Sequence, residues 1–160
     1  VSVLDGGLIK WLRESRSVNN NIVKHKPIKK YKVNEKSGWI KNKNQIDENI
    51  KNSLFQTVDA RSRDRFEGKV EEPRQGLKKG CIIGSKNLPF QECIDSKSNT
   101  FKSKSELINI FNKNNIDISK PIVFTCGSGI TACVLGMAYS LISDKNAVIY
   151  DGSWSEYGKK

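Results

Sequence analysis

Residues 121–133 read PIVFTCGSGITAC, from Pro121 to Cys133, and the way this stretch is parsed decides the fold. Ile122, Val123, Phe124 and Thr125 are β-branched or aromatic and are bounded by Pro121 and Gly127, the pattern of a short buried strand. From Thr131 onward Ala132, Val134, Leu135, Ala138, Tyr139, Leu141 and Ile142 recur at helical spacing, so a helix follows after a loop of only a few residues. Cys126 therefore sits at the carboxyl end of a strand and just before a helix N-terminus. Gly127 and Gly129 allow the backbone N–H groups to turn inward, and the helix end adds partial positive charge. Such a cradle stabilises an anion, lowers a thiol pKa and yields a nucleophilic thiolate.

The bland alternative is a buried structural cysteine, which packs as a small hydrophobe. Two reactions use a cysteine in a glycine-rich anion nest, phosphoester hydrolysis and sulfur transfer. The first needs an arginine six positions after the cysteine to clamp phosphate. Ala132 stands there, which argues against it.

Around this loop the residues resemble a family. CGSGITAC, with PIVFT before it and AVIYDGSWSEY after it, resembles the active-site region of the rhodanese and 3-mercaptopyruvate sulfurtransferase family. The loop is similar to that family's Cys-Gly-Ser-Gly-Val-Thr pattern, with Ile130 in place of valine. Neutral Gly127 and Ser128 favour the mercaptopyruvate branch, because the thiosulfate-using branch usually carries charge there. The resemblance covers residues 55–158 continuously and 1–12 more briefly. It implies an α/β rhodanese-like domain: a central, mostly parallel sheet flanked by helices, with the site at the carboxyl ends of the strands.

The resemblance also implies chemistry. Cys126 would attack the sulfur of 3-mercaptopyruvate and carry it as a persulfide, with Ser128 assisting proton transfer. The loop Gly127, Ser128, Gly129, Ile130 and Thr131 would hold the persulfide charge. RSRDRFEGKVEEPRQGLKKG, beginning at Arg61, resembles the family's substrate loop, and the two arginines that grip the substrate carboxylate there fall on Arg65 and Arg74. Arginine suits that task because its planar, permanently charged fork matches a carboxylate. Arg61, in Asp59-Ala60-Arg61, is expected to be a scaffold ion pair with Asp59. The acceptor would be a thiol such as thioredoxin, or cyanide in an assay. No cofactor or metal is implied. Thiosulfate:cyanide sulfur transfer and a non-catalytic rhodanese-fold assembly subunit stay open as alternatives. GCIIGSKNLPF (Gly80–Phe90) matches a further family segment, except that Cys81 stands where histidine is usual.

The rest of the chain bounds the problem. At 160 residues, 36% hydrophobic, there is room for one domain with a proper core plus an appendage. No apolar run approaches a membrane span, and no secretory or transit segment opens the chain, which starts at Val1 and is expected to be a fragment. Four cysteines without a Cys-x-x-Cys pair and one histidine (His25) argue against zinc and for a reducing, mitochondrial or cytoplasmic, location. Cys133 is expected to be small core packing rather than a redox partner.

Residues 1–12 echo the end of the chain. Val3-Leu4-Asp5-Gly6-Gly7 and Trp11 line up with Ile149-Tyr150-Asp151-Gly152-Ser153 and Tyr157. Val1–Leu12 thus resembles the last strand and turn of a first rhodanese-like domain. Residues 13–50 read as a basic, polar linker, and 51–160 as the catalytic domain. Lysines crowd Lys24–Lys43 against a single acid, Glu35, and supply much of the net charge of +11. With few interleaved aromatics and no binding motif, a solvated linker is favoured over a nucleic-acid or membrane patch. Tyr31, Val33, Trp39 and Ile40 are candidate anchors within it. Beyond the linker the pattern predicts a short helix at Ile46–Asn52, strands at Phe55–Val58 and Ala147–Tyr150, and a helix opened by the capping box Ser103–Glu106.

Overall fold

The structure, a computed structural model, describes residues 2–22, 33–34 and 38–160. Five strands form one all-parallel sheet in the order β1-β5-β4-β2-β3: β1 Ile40–Lys41, β2 Gln56–Asp59, β3 Lys86–Asn87, β4 Ile122–Thr125 and β5 Val148–Tyr150. The helices are α1 Gly7–Arg13, α2 Lys43–Asn52, α3 Arg63–Phe66, α4 Lys104–Lys113, α5 Ile130–Ser140 and α6 Ser153–Tyr157, with a 3₁₀ turn at Phe90–Cys93.

The predicted strand PIVFT is the centre of the sheet. All four residues of β4 are buried, as expected of a parallel strand covered on both faces. Alternate side chains serve two cores. Ile122 and Phe124 join Val58, Leu88, Leu107, Phe111, Leu135 and Tyr139 on one face, while Val123 joins Ile46, Ile82, Tyr150 and Trp154 on the other. The first core is aromatic: Phe111 meets Phe124 edge-on at 6.4 Å, and Tyr139 stacks on Phe111 at 6.2 Å. The register pairs Val58 with Phe124 and Asp59 with Thr125, so β2 and β4 end together. The chain leaves β2 toward one edge of the sheet and β4 toward the other. A crevice opens between such diverging loops, at the carboxyl ends of the strands.

Several expectations need adjustment. The helix expected at Ile46–Asn52 begins at Lys43, because Asn42 and Gln45 form a reciprocal capping box. Just before it, Ile40–Lys41 adds β1 to the edge of the sheet beside β5. Residues 40–50 of the segment read as linker are thus strand and helix, because Ile46 has a core to bury into. Among the candidate anchors, Val33 and Ile40 are exposed; Trp39 contributes its carbonyl to the Ile149 N–H at 2.9 Å; Tyr31, like His25, lies outside the described residues. The capping box at Ser103 and Glu106 is present, and α4 buries Leu107 and Phe111.

Among the described residues at the start of the chain no strand forms. Val3 and Leu4 are exposed, and no neighbouring strand offers them a ladder. Asp5 instead accepts the Phe101 N–H at 3.0 Å, and α1 follows. The echo with the end of the chain persists in the backbone. Gly7 and Ser153, each the first residue of a helix after Asp-Gly, have φ of 56° and 50°.

Candidate active site

Cys126 directly follows β4 and is 2% exposed. Its loop is held from behind by α6. The Cys126 carbonyl accepts the Trp154 N–H at 2.9 Å, and the Gly127 carbonyl accepts both the N–H (2.9 Å) and the hydroxyl (2.8 Å) of Ser155. Ser153 Oγ accepts the Cys126 N–H at 3.1 Å and donates to the Tyr150 carbonyl at 2.9 Å. With the carbonyls drawn away, the remaining loop N–H groups are left to the sulfur.

That arrangement shows in the thiol. Burial pushes the Cys126 thiol up, but the Thr131 hydroxyl and the N–H groups of Ser128, Ala132 and Thr131 outweigh it, and the net shift is down. The other cysteines differ. Burial pushes Cys93 up to about 12, and it raises Cys81 against the opposing hydrogen bond from Ser85. Cys133 is also raised, by its partial burial and then by the charges of Cys126 and Asp151.

The two loop glycines lie close against their surroundings. Gly129 caps α5 with φ of 83°, and a Cβ there would come within 3.1 Å of the Asp151 carbonyl oxygen. A Cβ on Gly127 would stand 3.0 Å from Arg65 Nη2, so the guanidinium lies directly against the loop.

The cavity in front of the loop, about 280 Å³, is lined by Arg65, Glu72, Pro73, Arg74, Leu77, Cys126, Gly127, Ser128, Ile130 and Thr131. Of the residues that the sequence assigns to the site, Cys126, Gly127, Ser128, Ile130, Thr131, Arg65 and Arg74 line it, and Gly129 is buried outside the lining. The two arginines differ in setting. Arg65 is three-quarters buried and paired with Glu72 at 2.5 Å. Arg74 is exposed and, among the described residues, has no carboxylate partner. Arg61 is fully buried, bound to Asp59 at 2.7 Å, to Glu72 at 2.8 Å and to the Gly80 carbonyl, with its guanidinium 4.5 Å from the centroid of a Trp154 ring. It is the scaffold pair with Asp59 that the sequence suggested.

The core role expected of Cys133 is not what the structure shows. It is exposed and donates its S–H to the Gly129 carbonyl at 3.3 Å. α5 turns Ala132, Leu135, Gly136, Ala138 and Tyr139 inward, and Cys133 falls between them on the outer side. Sequence reasoning did not single out Glu72, Ser153 or Ser155 as site residues, although Glu72 is among the acids it offers as ion-pair partners for the loop arginines. Glu72 carried one signal, an acid in the arginine loop beside Pro73; the serines follow an Asp-Gly turn that the sequence alone places only at the edge of the site.

Comparison with known proteins agrees with this geometry. The rhodanese-like domain family matches residues 42–160. The chain is 38% identical over 157 residues to human 3-mercaptopyruvate sulfurtransferase, covering 98% of the chain and 52% of that protein. It is 37% identical over 161 residues to mouse thiosulfate sulfurtransferase, covering all of the chain and 54% of that protein. The chain thus spans about half the length of these curated relatives. Among solved structures, SseA from Escherichia coli, described as a 3-mercaptopyruvate sulfotransferase of rhodanese fold, superposes with a TM-score of 0.80 at 31% identity, covering 98% of this chain and 57% of that one. With the parallel sheet and the cysteine loop at its carboxyl edge, the chain belongs to the rhodanese-like domain family.

Proposed function

We propose that this chain carries the sulfur-binding site of a sulfurtransferase whose donor is 3-mercaptopyruvate. The observation that supports it best is the shared cavity: a thiol of lowered pKa in a nest of N–H groups, faced by Arg65 and Arg74. In the proposed reaction the arginines fix the substrate carboxylate and Cys126 Sγ attacks the substrate sulfur. An S–S bond forms and the C–S bond breaks, its electron pair passing to carbon to give the enolate of pyruvate. Protonation of that carbon completes pyruvate, and in this reading Ser128, on the cavity wall, assists the proton transfer. The loop N–H groups that favour the thiolate then hold the persulfide anion. An acceptor thiolate, such as that of thioredoxin, takes the outer sulfur and returns Cys126 as thiolate; cyanide would leave as thiocyanate.

Thiosulfate as donor is the second reading, favoured by the exposed charge of Arg74, which has no carboxylate partner among the described residues, and by the comparable identity to mouse thiosulfate sulfurtransferase. Against it, Gly127 and Ser128 bring no charge to a dianion. The deciding experiment is mass spectrometry of Cys126 after each donor, followed by turnover to cyanide. Gain of one sulfur from mercaptopyruvate, with faster turnover than from thiosulfate, supports the proposal. Faster turnover from thiosulfate supports the second reading, and no sulfur gain from either points to a non-catalytic assembly role.

The same reading assigns residues 1–12 to the end of a preceding rhodanese-like unit. Its support is the matched Asp-Gly helix entry at Gly7 and Ser153.

A further inference from the structure

Glu72 is almost wholly buried, its side chain 1% exposed, yet it belongs to the cavity lining. Its two oxygens are divided between two arginines. Oε1 accepts Arg61 Nη1 at 2.8 Å and, more weakly, Arg65 Nε at 3.3 Å; Oε2 accepts Arg65 Nη2 at 2.5 Å. Arg61 cannot yield, because Asp59, the Gly80 carbonyl and the Trp154 ring hold it on its other sides. Glu72 is therefore a fixed carboxylate on which Arg65 rests.

The edge by which Arg65 rests decides what it can still do. Glu72 engages the N–H of Nε and one N–H of Nη2. Both N–H groups of Nη1 and the second on Nη2 remain, and among the described residues no protein atom takes Nη1. This Nη1/Nη2 end is a second fork able to take another carboxylate bidentately. Nη2 lies against Gly127, so the open fork is at the Cys126 loop.

We propose that Glu72 is a positioning residue: by occupying the Nε/Nη2 edge of Arg65 it presents the Nη1/Nη2 end to the carboxylate of a 2-oxo acid bound in front of Cys126. The proposal rests on the functional reading above for its natural substrate, but its geometry can be tested without turnover. 3-Bromopyruvate and bromoacetone share a bromomethyl ketone and differ in bearing a carboxylate or a methyl group. With either, Cys126 Sγ forms a C–S bond as the C–Br bond breaks and bromide leaves with the electron pair. The ratio of the two alkylation rates at Cys126, read by peptide mass spectrometry, reports the grip on the carboxylate.

In the full chain, Glu72→Gln is expected to lower that ratio about tenfold. Removing a negative charge would by itself attract the anionic reagent and raise the ratio, and a purely structural lesion would slow both reagents alike. Arg65→Lys, which keeps the charge and loses the fork, is expected to lower the ratio similarly and decides the matter if Glu72→Gln does not fold. Glu72→Gln added to Arg65→Ala should change nothing further. A ratio unchanged or raised in Glu72→Gln, or unchanged in Arg65→Lys, overturns the proposal. Failure of the functional reading shows separately, as wild-type Cys126 that gains no sulfur from 3-mercaptopyruvate while the alkylation ratios hold.

Discussion

At the scale of single residues, the thiol of Cys126 is set by a contest between burial and hydrogen bonding, and hydrogen bonding wins. The Thr131 hydroxyl is the largest of the contributions that lower the thiol pKa against burial, so Thr131→Val, nearly the same shape without the hydroxyl, should raise it. A group whose folded pKa is depressed is ionised in the folded state while the unfolded chain still holds its proton, up to about pH 8.5. Alkylation of the wild type should accordingly inflect below that value. In Thr131→Val the inflection should move up, with reaction slowed at neutral pH and unchanged once the thiol is fully ionised in both proteins. An unchanged inflection would remove Thr131 from the nest. Cys93 offers the internal contrast. Buried and raised to about 12, it should react only when the domain unfolds.

Among elements, α6 is what turns a strand-end cysteine into a nest. Although only Ser153–Tyr157 long, it ties the Cys126 and Gly127 backbone through Ser153, Trp154 and Ser155. Ser153 is fully buried with φ of 50°, a left-handed conformation uncommon for serine. Ser153→Ala leaves the Cys126 N–H without its buried acceptor and should cost about 1–3 kcal/mol of stability. It should also slow Cys126 alkylation by a neutral reagent at neutral pH; loss of stability with unchanged alkylation would confine Ser153 to the scaffold. The central layer gives the opposite pattern. Phe124→Ala, at the meeting point of Phe111 and Tyr139, should cost about 3–5 kcal/mol in chemical denaturation.

For the whole molecule, a net charge of +11 makes encounter with anionic donors sensitive to salt, so the rate of Cys126 modification by an anionic reagent should fall with ionic strength more steeply than that by a neutral one. The reading of residues 1–12 as the end of a preceding unit carries its own test. Val3, Leu4, Leu8, Ile9 and Leu12 are all more than half exposed. Joining the first half of a full-length relative ahead of Val1 should cover them and raise kcat/KM for mercaptopyruvate; no change in rate would count against that assignment. How much of this was legible beforehand follows from the range of the forces involved. The strand, the cysteine loop and the helix after it were readable because apolar runs, glycines and helical spacing act over neighbouring residues, and the candidate site residues were readable because their types and spacing resemble a family. Beyond that range lay the outward turn of Cys133 on a helix apolar on several sides, the pairing of Ile40–Lys41 with Ile149 and Tyr150, the clamp from α6, and the placement of Glu72 between Arg61 and Arg65. Sequence by itself therefore determined the central strand, the cysteine loop and the helix after it, and which side chains are candidates for the chemistry. Only the tertiary structure decided which edge of Arg65 stays free and which N–H groups are left for the sulfur, because partners distant along the chain meet only once the sheet has closed around β4.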